Sequence, residues 1–171
     1  MAGTPAGFLV YTGGVSVEDQ IRLTAATYGV PPDLALAVAR AESGLDQSAR
    51  GASGEVGVFQ LMPSTAAGLG VNPYDLGENI AGGVRYLAEQ LRRFGSPELA
   101  LAAYNSGPGR VASGSIPSST AAYVSRVFSF LPAGALAPGL PELPLPAAGA
   151  DSWVLAALAL GVVSLGLVLA G

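Results

Sequence analysis

Apolar residues recur along the middle of the chain at intervals of three and four, the spacing that places them on one face of an α-helix. The longest such run predicts a helix from about Leu76 to Phe94. Its apolar stripe consists of Ile80, Val84, Leu87, Leu91 and Phe94. No segment alternates between apolar and polar residues for long enough to predict a strand. The pattern therefore predicts an all-α fold.

Capping and breaking residues predict the first three helices and where they end. Ser16, followed by Asp19, provides an N-cap for a helix that runs to about Tyr28. A pair of prolines opens a second helix, which closes at Gly44. A short third helix is predicted to follow Pro63.

Two further helices are predicted toward the end of this region. A short one starts near Ser96, and the Gly107–Gly109 segment breaks it. The last helix has its apolar face at Val124, Val127, Phe128 and Leu131. Residues from about 15 to 130 are therefore expected to form one compact, irregular all-α domain.

The two ends of the chain differ from this domain in composition. Residues 152–171 carry no charge, and about 20 residues at about 1.5 Å each match a hydrocarbon core of about 30 Å. They predict one C-terminal transmembrane helix, with a buried helix of the domain as the alternative. Residues 131–151 are rich in Pro, Ala and Gly and predict an extended linker. Residues 1–14 form a leader without a recognisable signal peptide.

The composition excludes several kinds of chemistry. The chain has no cysteine and no histidine, so disulfides, thiol nucleophiles, Ser-His-Asp triads and the usual zinc sites are absent. We expect no metal and no cofactor. The net charge of -4, with eight arginines and no lysine, argues against a nucleic-acid partner. Carboxylates, hydroxyls, amides and arginines remain as the groups available for catalysis.

One carboxylate lies where the pattern predicts the edge of a buried helix face. On the second helix this face is formed by Leu34, Ala37, Val38, Ala41 and Leu45. Glu42 comes four residues after Val38, in the last turn before Gly44. Partial burial and the negative end of the helix dipole would both raise its pKa, as a general acid requires. The alternative is a solvated glutamate at a fraying helix end.

Five sequence blocks, in this order, resemble the soluble lytic transglycosylase family, whose fold is that of goose-type lysozyme. The blocks are Glu42-Ser43, then Gly54-x-x-Gly57-x-x-Gln60-x-Met62-Pro63, then Asn79-Ile80 with Gly83 and Tyr86-Leu87, then Ala103-Tyr104-Asn105-x-Gly107-Pro108-Gly109, and Tyr123-Val124. The resemblance covers about residues 15 to 130. It implies cleavage of the β-1,4 bond between N-acetylmuramic acid and N-acetylglucosamine in peptidoglycan, with a 1,6-anhydro end as product.

The resemblance also implies a mechanism with a single carboxylate. Glu42 would protonate the bridging oxygen, and the substrate's N-acetyl group would stabilise the cationic sugar. Glu42 would then take the proton of the C6 hydroxyl that attacks C1. Ordinary glycosidases need two carboxylates, and Asp46 or Glu55 would be the partner in a lysozyme-type hydrolase. A third hypothesis, from another class, is an inactive domain kept for glycan binding or assembly.

Substrate-binding roles follow for further residues. Gln60 would offer an amide, Met62 an apolar wall and Gly54 a close backbone approach, although Gly54 and Gly57 are equally well explained as parts of a tight turn. The other residues expected to bind substrate are Ser43, Ser53, Tyr104, Asn105 and Tyr123, of which Tyr123 would hydrogen-bond Glu42. Tyr86 is expected in the core.

The chain departs from the family pattern at one point. Gly51 falls where members often carry a serine that contacts the acetamido oxygen, and Ser53 is the nearest hydroxyl. Glu55 stands where a small residue is more usual, so we expect it to line the cleft. Asp46 lies past the Gly44 break and is expected to be a solvated loop acid.

The location of peptidoglycan outside the cytoplasmic membrane constrains where such an enzyme works. With no signal in residues 1–14, a C-terminal anchor would leave the domain in the cytoplasm. We therefore expect a bacteriophage particle, in which the C-terminal helix holds the enzyme in the viral membrane and the linker gives it reach to the cell wall. The alternative is the periplasmic face of a bacterial envelope. The expected partners are glycan strands, a lipid membrane, and virion or envelope proteins.

Overall fold

The computed structural model describes residues 14–133 and residue 135. The predicted leader, linker and membrane span lie outside the described residues, apart from Gly14 and the first few residues of the linker. Within the described part, no helix has both the length and the apolar character that crossing a membrane requires.

Seven α-helices lie in the described ranges, which confirms the all-α prediction there. They are α1 (Val17–Thr27), α2 (Pro32–Ser43), α3 (Pro63–Leu69), α4 (Leu76–Phe94), α5 (Pro97–Ser106), α6 (Pro108–Ala112) and α7 (Ser118–Ser129). The same ranges contain no strand and only two isolated bridges, from Arg50 to Val56 and from Val56 to Leu61. The chain divides into two compact units at a boundary inside α4, between Val84 and Arg85.

The caps of α1 and α2 lie where the sequence predicts them. The Ser16 hydroxyl accepts the Asp19 N–H at 3.1 Å at the start of α1. Helix α2 has Pro32 in its first position and ends at Gly44, whose φ of 66° lies in the left-handed region. Such a residue is usually glycine, because a side chain makes this conformation costly.

Helices α1 and α2 pack against each other in antiparallel fashion. Arg22 of α1 pairs with Asp33 at the start of α2 (2.6 Å), and Arg40 near the end of α2 pairs with Glu18 at the start of α1 (2.8 Å). All four side chains are 35–45% exposed, so each pair contributes at most about 1 kcal/mol. Buried apolar residues such as Ile21 must therefore provide most of the stabilisation.

Helix α2 is buried more completely than the predicted stripe implies. Every residue from Leu34 to Ala39 is at most 3% exposed, so the helix is enclosed on all sides in its middle. The last two members of the predicted stripe, Ala41 and Leu45, are only half-buried. The prediction that only one face of α2 is buried is therefore wrong for the middle of the helix, because neighbouring parts of the chain surround it.

Two adjacent glycines give α4 a flat surface against the loop that precedes α3. A Cβ at Gly83 would meet the Phe59 ring, with Cδ1 2.6 Å away, and a Cβ at Gly82 would meet Leu61 Cδ1 at 3.0 Å. Phe59 and Leu61 are both almost completely buried. The missing side chains on α4 thus create the space that these two residues fill.

In the second unit, α5 is broken at Gly107 as the sequence predicts, and a short helix that the sequence analysis does not predict follows the break. Helix α5 ends at Ser106, and α6 begins at once with Pro108 in its first position. Gly107 has a φ of 91° and serves as the cap between them. The break is thus one residue long, because a proline is well suited to the first turn of a new helix.

The buried face of α7 lies earlier in the helix than predicted. Thr120 and Tyr123 are buried together with Val124 and Val127. Phe128 is half-buried, and the helix ends two residues before Leu131. The sequence analysis assigns Tyr123 to substrate binding and gives Thr120 no role, so neither is part of the predicted apolar face.

Candidate functional site

Glu42 lies in the last turn of α2, two residues before the left-handed Gly44. Its side chain is half-buried, whereas the helix just before it is enclosed. The position at the edge of the buried region is therefore as predicted. A carboxyl group placed there is partly shielded from water and still accessible from one side.

Ser43 connects the end of α2 to the following loop. Its hydroxyl donates to the Val58 carbonyl oxygen at 2.9 Å and, less closely, to the Ala39 carbonyl oxygen at 3.4 Å. The same oxygen accepts the Asp46 N–H at 3.1 Å. Ser43, predicted to bind substrate, thus has its hydroxyl occupied by the backbone and fixes the segment that follows Glu42.

Two side-chain amides hold the loop that carries Val56 to Phe59. The buried Asn79 donates to the carbonyl oxygens of Val56 (2.8 Å) and Pro73 (2.9 Å) and accepts the Phe59 N–H (2.9 Å). Asn79 is fully buried. Its amide therefore replaces hydrogen bonds to water that these backbone groups lose when the chain folds.

Gln47 supports the same loop from the other side. Its oxygen accepts the Val58 N–H at 3.1 Å, and its nitrogen donates to the Pro73 carbonyl oxygen at 3.0 Å. Sequence reasoning assigned no role to Gln47 or Asn79. The signal for Asn79 is its place in the Asn79-Ile80 block of the family resemblance, and no comparable signal marks Gln47.

Gly57 packs tightly between these amides. A Cβ at Gly57 would lie 2.5 Å from Gln47 Oε1 and 2.6 Å from Asn79 Nδ2, and its φ is 78°. Gly54, by contrast, has a φ of 97° and open space around it. The geometry thus explains both glycines as turn residues, and Gly57 in addition as a place where no side chain fits.

Gln60 is a non-glycine residue in the left-handed region, with a φ of 44°. Its amide nitrogen donates to the Gly57 carbonyl oxygen at 2.9 Å and is 3.4 Å from the Ala49 carbonyl oxygen. The nitrogen is therefore used within the loop, and the oxygen is the part of the amide available to a ligand. Met62, at the N-cap of α3, is 37% exposed and presents an apolar surface.

The Glu55 side chain occupies the space beside Gly51, the position where the family pattern more often has a serine. The Glu55 carboxylate folds back over Gly51, so that a Cβ there would collide with Oε2 and lie 2.8 Å from Cδ. The Ser53 N–H donates to Glu55 Oε2 at 3.0 Å, and the Ser53 side chain is exposed. Glu55 is half-buried. The space of a residue-51 side chain is thus filled by a carboxylate.

Asp46 lies in solvent in the turn after α2. One of its oxygens accepts the Ser48 hydroxyl at 2.6 Å and the Ser48 N–H at 2.7 Å. These two bonds, with a smaller contribution from Arg50, hold the pKa of Asp46 below its ordinary value. The geometry is that of the predicted solvated loop acid.

The second unit contains the remaining predicted residues. Tyr104 of α5 is half-buried and packs on Tyr86, with ring centroids 5.2 Å apart and planes tilted by 56°. Tyr86 is also half-buried, not a full core residue, and burial raises the pKa of its phenol. The paired rings form a partly exposed aromatic surface.

Asn105 and Tyr123 connect α5 and α7 to their surroundings. Asn105 is exposed, and its oxygen accepts the hydroxyl of the buried Thr120 at 3.2 Å. Tyr123 is 4% exposed, and the Arg126 guanidinium lies 5.6 Å from its ring centroid. Among the described residues, no three His, Cys, Asp or Glu side chains lie close enough together to hold a metal ion.

Comparison with protein families identifies the domain. The profile of the Transglycosylase SLT domain matches residues 19–119, which lie inside the predicted domain and make up more than half of the chain. The chain belongs to this family. The family consists of peptidoglycan-cleaving lytic enzymes.

Two curated relatives match this SLT domain. A protein named transglycosylase from Enterobacteria phage PRD1 is 38% identical over 97 residues, which cover 56% of this chain and 37% of the relative. Membrane-bound lytic murein transglycosylase F 2 from Alkalilimnicola ehrlichii is 42% identical over 90 residues, which cover 48% of this chain and 20% of the relative. The match thus spans a little more than a third of the first relative and a fifth of the second.

Two solved structures share the fold of the SLT domain. The 70 kDa soluble lytic transglycosylase SLT70 from Escherichia coli is 29% identical, with a TM-score of 0.58, over 66% of this chain and 23% of that one. An inactive glutamate-to-glutamine mutant of lytic transglycosylase Slt from Pseudomonas aeruginosa is 28% identical, with a TM-score of 0.59, over 65% and 22%. The domain therefore has the lysozyme-like, all-helical fold of these enzymes.

Proposed function

We propose that the protein is a peptidoglycan lytic transglycosylase with Glu42 as its only catalytic acid and base. The observation that carries this proposal is the half-buried carboxyl group of Glu42 at the end of α2, inside a matched SLT domain. The bond cleaved is the β-1,4 bond between N-acetylmuramic acid and N-acetylglucosamine. The inactive glutamate-to-glutamine form of the related Slt supports a mechanism that depends on one glutamate.

The proposed reaction returns Glu42 to its starting state. Protonated Glu42 gives its proton to the bridging oxygen as the glycosidic bond breaks, and the substrate's acetamido group stabilises the positive charge at C1. The resulting Glu42 carboxylate accepts the proton of the C6 hydroxyl while O6 bonds to C1. The ring closes to the 1,6-anhydro sugar, and no water is consumed.

The other carboxylates near Glu42 in sequence are poor candidates for a second catalytic group. Asp46 is exposed and bound by Ser48. Glu55 is held over Gly51 by the Ser53 N–H. A hydrolase with two carboxylates remains the alternative, and its products differ. Ser43, Ser53, Gly54, Gln60, Met62, Tyr104, Asn105 and Tyr123 stay predicted substrate-binding residues.

Product analysis tests the reaction type. We expect purified sacculi digested in heavy-oxygen water to give muropeptides that end in the anhydro sugar and carry no label. A hydrolase would give reducing ends, each with one heavy oxygen and one water mass more than the anhydro form. Mass spectrometry separates the two outcomes, and labelled reducing ends would refute the transglycosylase mechanism while leaving glycan cleavage in place.

We further propose that residues 152–171 attach the enzyme to a membrane, and that this membrane belongs to a phage particle. The charge-free run of these residues and the relative from a phage support the proposal. The relative named as membrane-bound supports the envelope of a bacterium as the second candidate. Purified particles and cell fractions, probed with an antibody to residues 15–130, test both. Recovery with particle lipid is expected, recovery only in uninfected envelopes would refute the phage setting, and a soluble protein would refute membrane attachment.

A further inference from the structure

The segment from Arg50 to Val56 forms a small closed turn that fixes Glu55. Arg50 pairs with Val56, and the Gly51 N–H donates to the Glu55 carbonyl oxygen at 2.9 Å. Within the turn, the Gly54 N–H donates to the Gly51 carbonyl oxygen at 3.1 Å. The Glu55 backbone is thus held at its place, and its side chain is held by the Ser53 N–H.

Two acceptor oxygens converge at the point that a side chain of residue 51 would occupy. Glu55 Oε2 is in contact with this point, and Gln60 Oε1 lies 2.9 Å from it. The Gln60 nitrogen faces two carbonyl oxygens, those of Gly57 and Ala49, which fixes which end of the amide is the oxygen. Both atoms that converge here therefore accept hydrogen bonds, and neither donates them.

The charge of Glu55 has no cationic partner in the described part of the chain. Two ion pairs of that part join Arg22 to Asp33 and Arg40 to Glu18, and neither includes Glu55. The cation nearest in sequence, Arg50, donates to backbone carbonyl oxygens and lies over the Tyr74 ring, 5.3 Å from its centroid. A half-buried carboxylate beside an amide oxygen favours a ligand that brings both hydrogen-bond donors and positive charge.

We propose that Glu55 and Gln60 form a binding site for a primary ammonium group on the glycan, so that the enzyme prefers amine-bearing peptidoglycan. This inference rests on the proposed function and specifies its substrate. A serine at position 51 would donate to an acetamido oxygen, whereas the carboxylate of Glu55 repels that oxygen and attracts an ammonium. Glycine at position 51 and glutamate at position 55, both of which differ from the family pattern, thus change the substrate preference together.

An ammonium group can come from two places in peptidoglycan, and the substrates must separate them. The first pair consists of glycan strands without stem peptides, either fully N-acetylated or partly de-N-acetylated. The second pair consists of N-acetylated sacculi whose stem amines are free or chemically acetylated. A preference within the first pair identifies the amino sugar as the source, and a preference within the second pair identifies the stem.

At low salt, we expect the full chain in detergent to cleave the amine-bearing member of one pair about three- to tenfold faster than the acetylated member. This ratio is what one partly exposed, charge-assisted hydrogen bond would contribute. Higher ionic strength should reduce this ratio. Glu55→Gln keeps the size and an acceptor for the Ser53 N–H but removes the charge, so the ratio should fall to about one. Glu89→Gln, which removes an exposed charge from α4, should keep it.

A double variant, Glu55→Ala with Gly51→Ser, should reverse the proposed change in substrate preference. Glu55→Ala removes the carboxylate over Gly51, and Gly51→Ser places a hydroxyl there at a backbone φ that is not left-handed. The Gln60 side chain, with Oε1 2.9 Å from the new Cβ, must shift slightly to accept it. We expect this variant to prefer the acetylated member of the pair. Thermal unfolding of each variant shows whether it is folded.

The outcomes separate this proposal from the proposed function. Equal rates within both pairs for the wild type, or an unchanged rate ratio in Glu55→Gln, would overturn the ammonium site. If anhydro products were still formed in that case, the proposed transglycosylase function would stand. If no substrate gave anhydro products, the function would fail, and binding of glucosamine oligomers against N-acetylglucosamine oligomers would decide the ammonium site. Equal binding of the two oligomers would then overturn it.

Discussion

Replacing Glu42 with glutamine is expected to lower the rate of glycan cleavage by at least about 100-fold and up to about 10,000-fold, the range of general acid–base catalysis. Glutamine has nearly the same shape but cannot donate a proton to the bridging oxygen or accept one from the C6 hydroxyl. In the proposed mechanism Glu42 performs both steps, so its loss removes the acid and the base together. The rate is measured as soluble muropeptides released from sacculi at neutral pH.

Two carboxylate variants serve as matched controls for this result. Glu89→Gln tests the loss of one negative charge elsewhere, and Asp46→Asn tests the acid that a lysozyme-type mechanism would recruit. Both should keep most of the activity. If Asp46→Asn lost activity as severely as Glu42→Gln, the one-carboxylate mechanism would be wrong, and if Glu42→Gln stayed active, catalysis by this glutamate would be wrong altogether.

The pH of the assay matters for the Asp46 control. Hydrogen bonds from Ser48 lower the pKa of folded Asp46 below its value of about 3.9 in an unfolded chain. Their stabilising effect is therefore fully present above about pH 4 and is lost as the pH falls through the lower pKa of the folded state. At neutral pH the wild type keeps this effect and Asp46→Asn does not, so unfolding should be measured beside activity.

The same experiment addresses the hypothesis of an inactive domain. A chain kept only for binding or assembly would release no muropeptides in either form. Clearing of a peptidoglycan gel by the wild type, absent with Glu42→Gln, would exclude that hypothesis. The same absence with both proteins would favour it.

Helix positions were predictable from the sequence because their signals are local. The Ser16 cap, the prolines that open α2 and α3, and Gly44 act within one turn of the backbone. The α6 helix escaped prediction because its start depends on the φ of Gly107, which allows one residue to end a helix and begin another.

The use of each polar group at the site was less predictable, because it depends on contacts distant in sequence. Ser43 bonds a carbonyl oxygen fifteen residues away, and Asn79 bonds groups up to twenty-three residues away. No periodicity shows that the Gln60 nitrogen is taken by the loop or that Glu55 fills the space over Gly51. The sequence thus proposes residues for the site, but it does not show which of their atoms remain available to substrate.

Replacing Asn79 with alanine is expected to lower the free energy of unfolding by about 2–4 kcal/mol, a large part of the 5–15 kcal/mol typical of a domain. The change removes three hydrogen bonds of 2.8–2.9 Å, one from the Phe59 N–H and one to each of the Val56 and Pro73 carbonyl oxygens. The Val56 oxygen keeps the Leu61 N–H as a donor, and the Pro73 oxygen keeps the Gln47 amide, both at 3.0 Å. Each of these hydrogen bonds contributes about 0.5–1.5 kcal/mol, and the loss is smaller where water enters the cavity. Urea unfolding followed by circular dichroism measures the loss.

Asparagine at position 72 offers a matched control for Asn79→Ala, because it is exposed and its side chain accepts one N–H, that of Tyr74, at 3.1 Å. Asn72→Ala should therefore cost less than about 1 kcal/mol. Asn79→Asp keeps the acceptor for the Phe59 N–H but directs an oxygen at the carbonyl oxygens of Val56 and Pro73. Burial should raise the pKa of this new carboxyl group, so the variant should lose stability further as the pH rises. If Asn79→Ala unfolded at the same urea concentration as Asn72→Ala, the amide would not be what holds this loop.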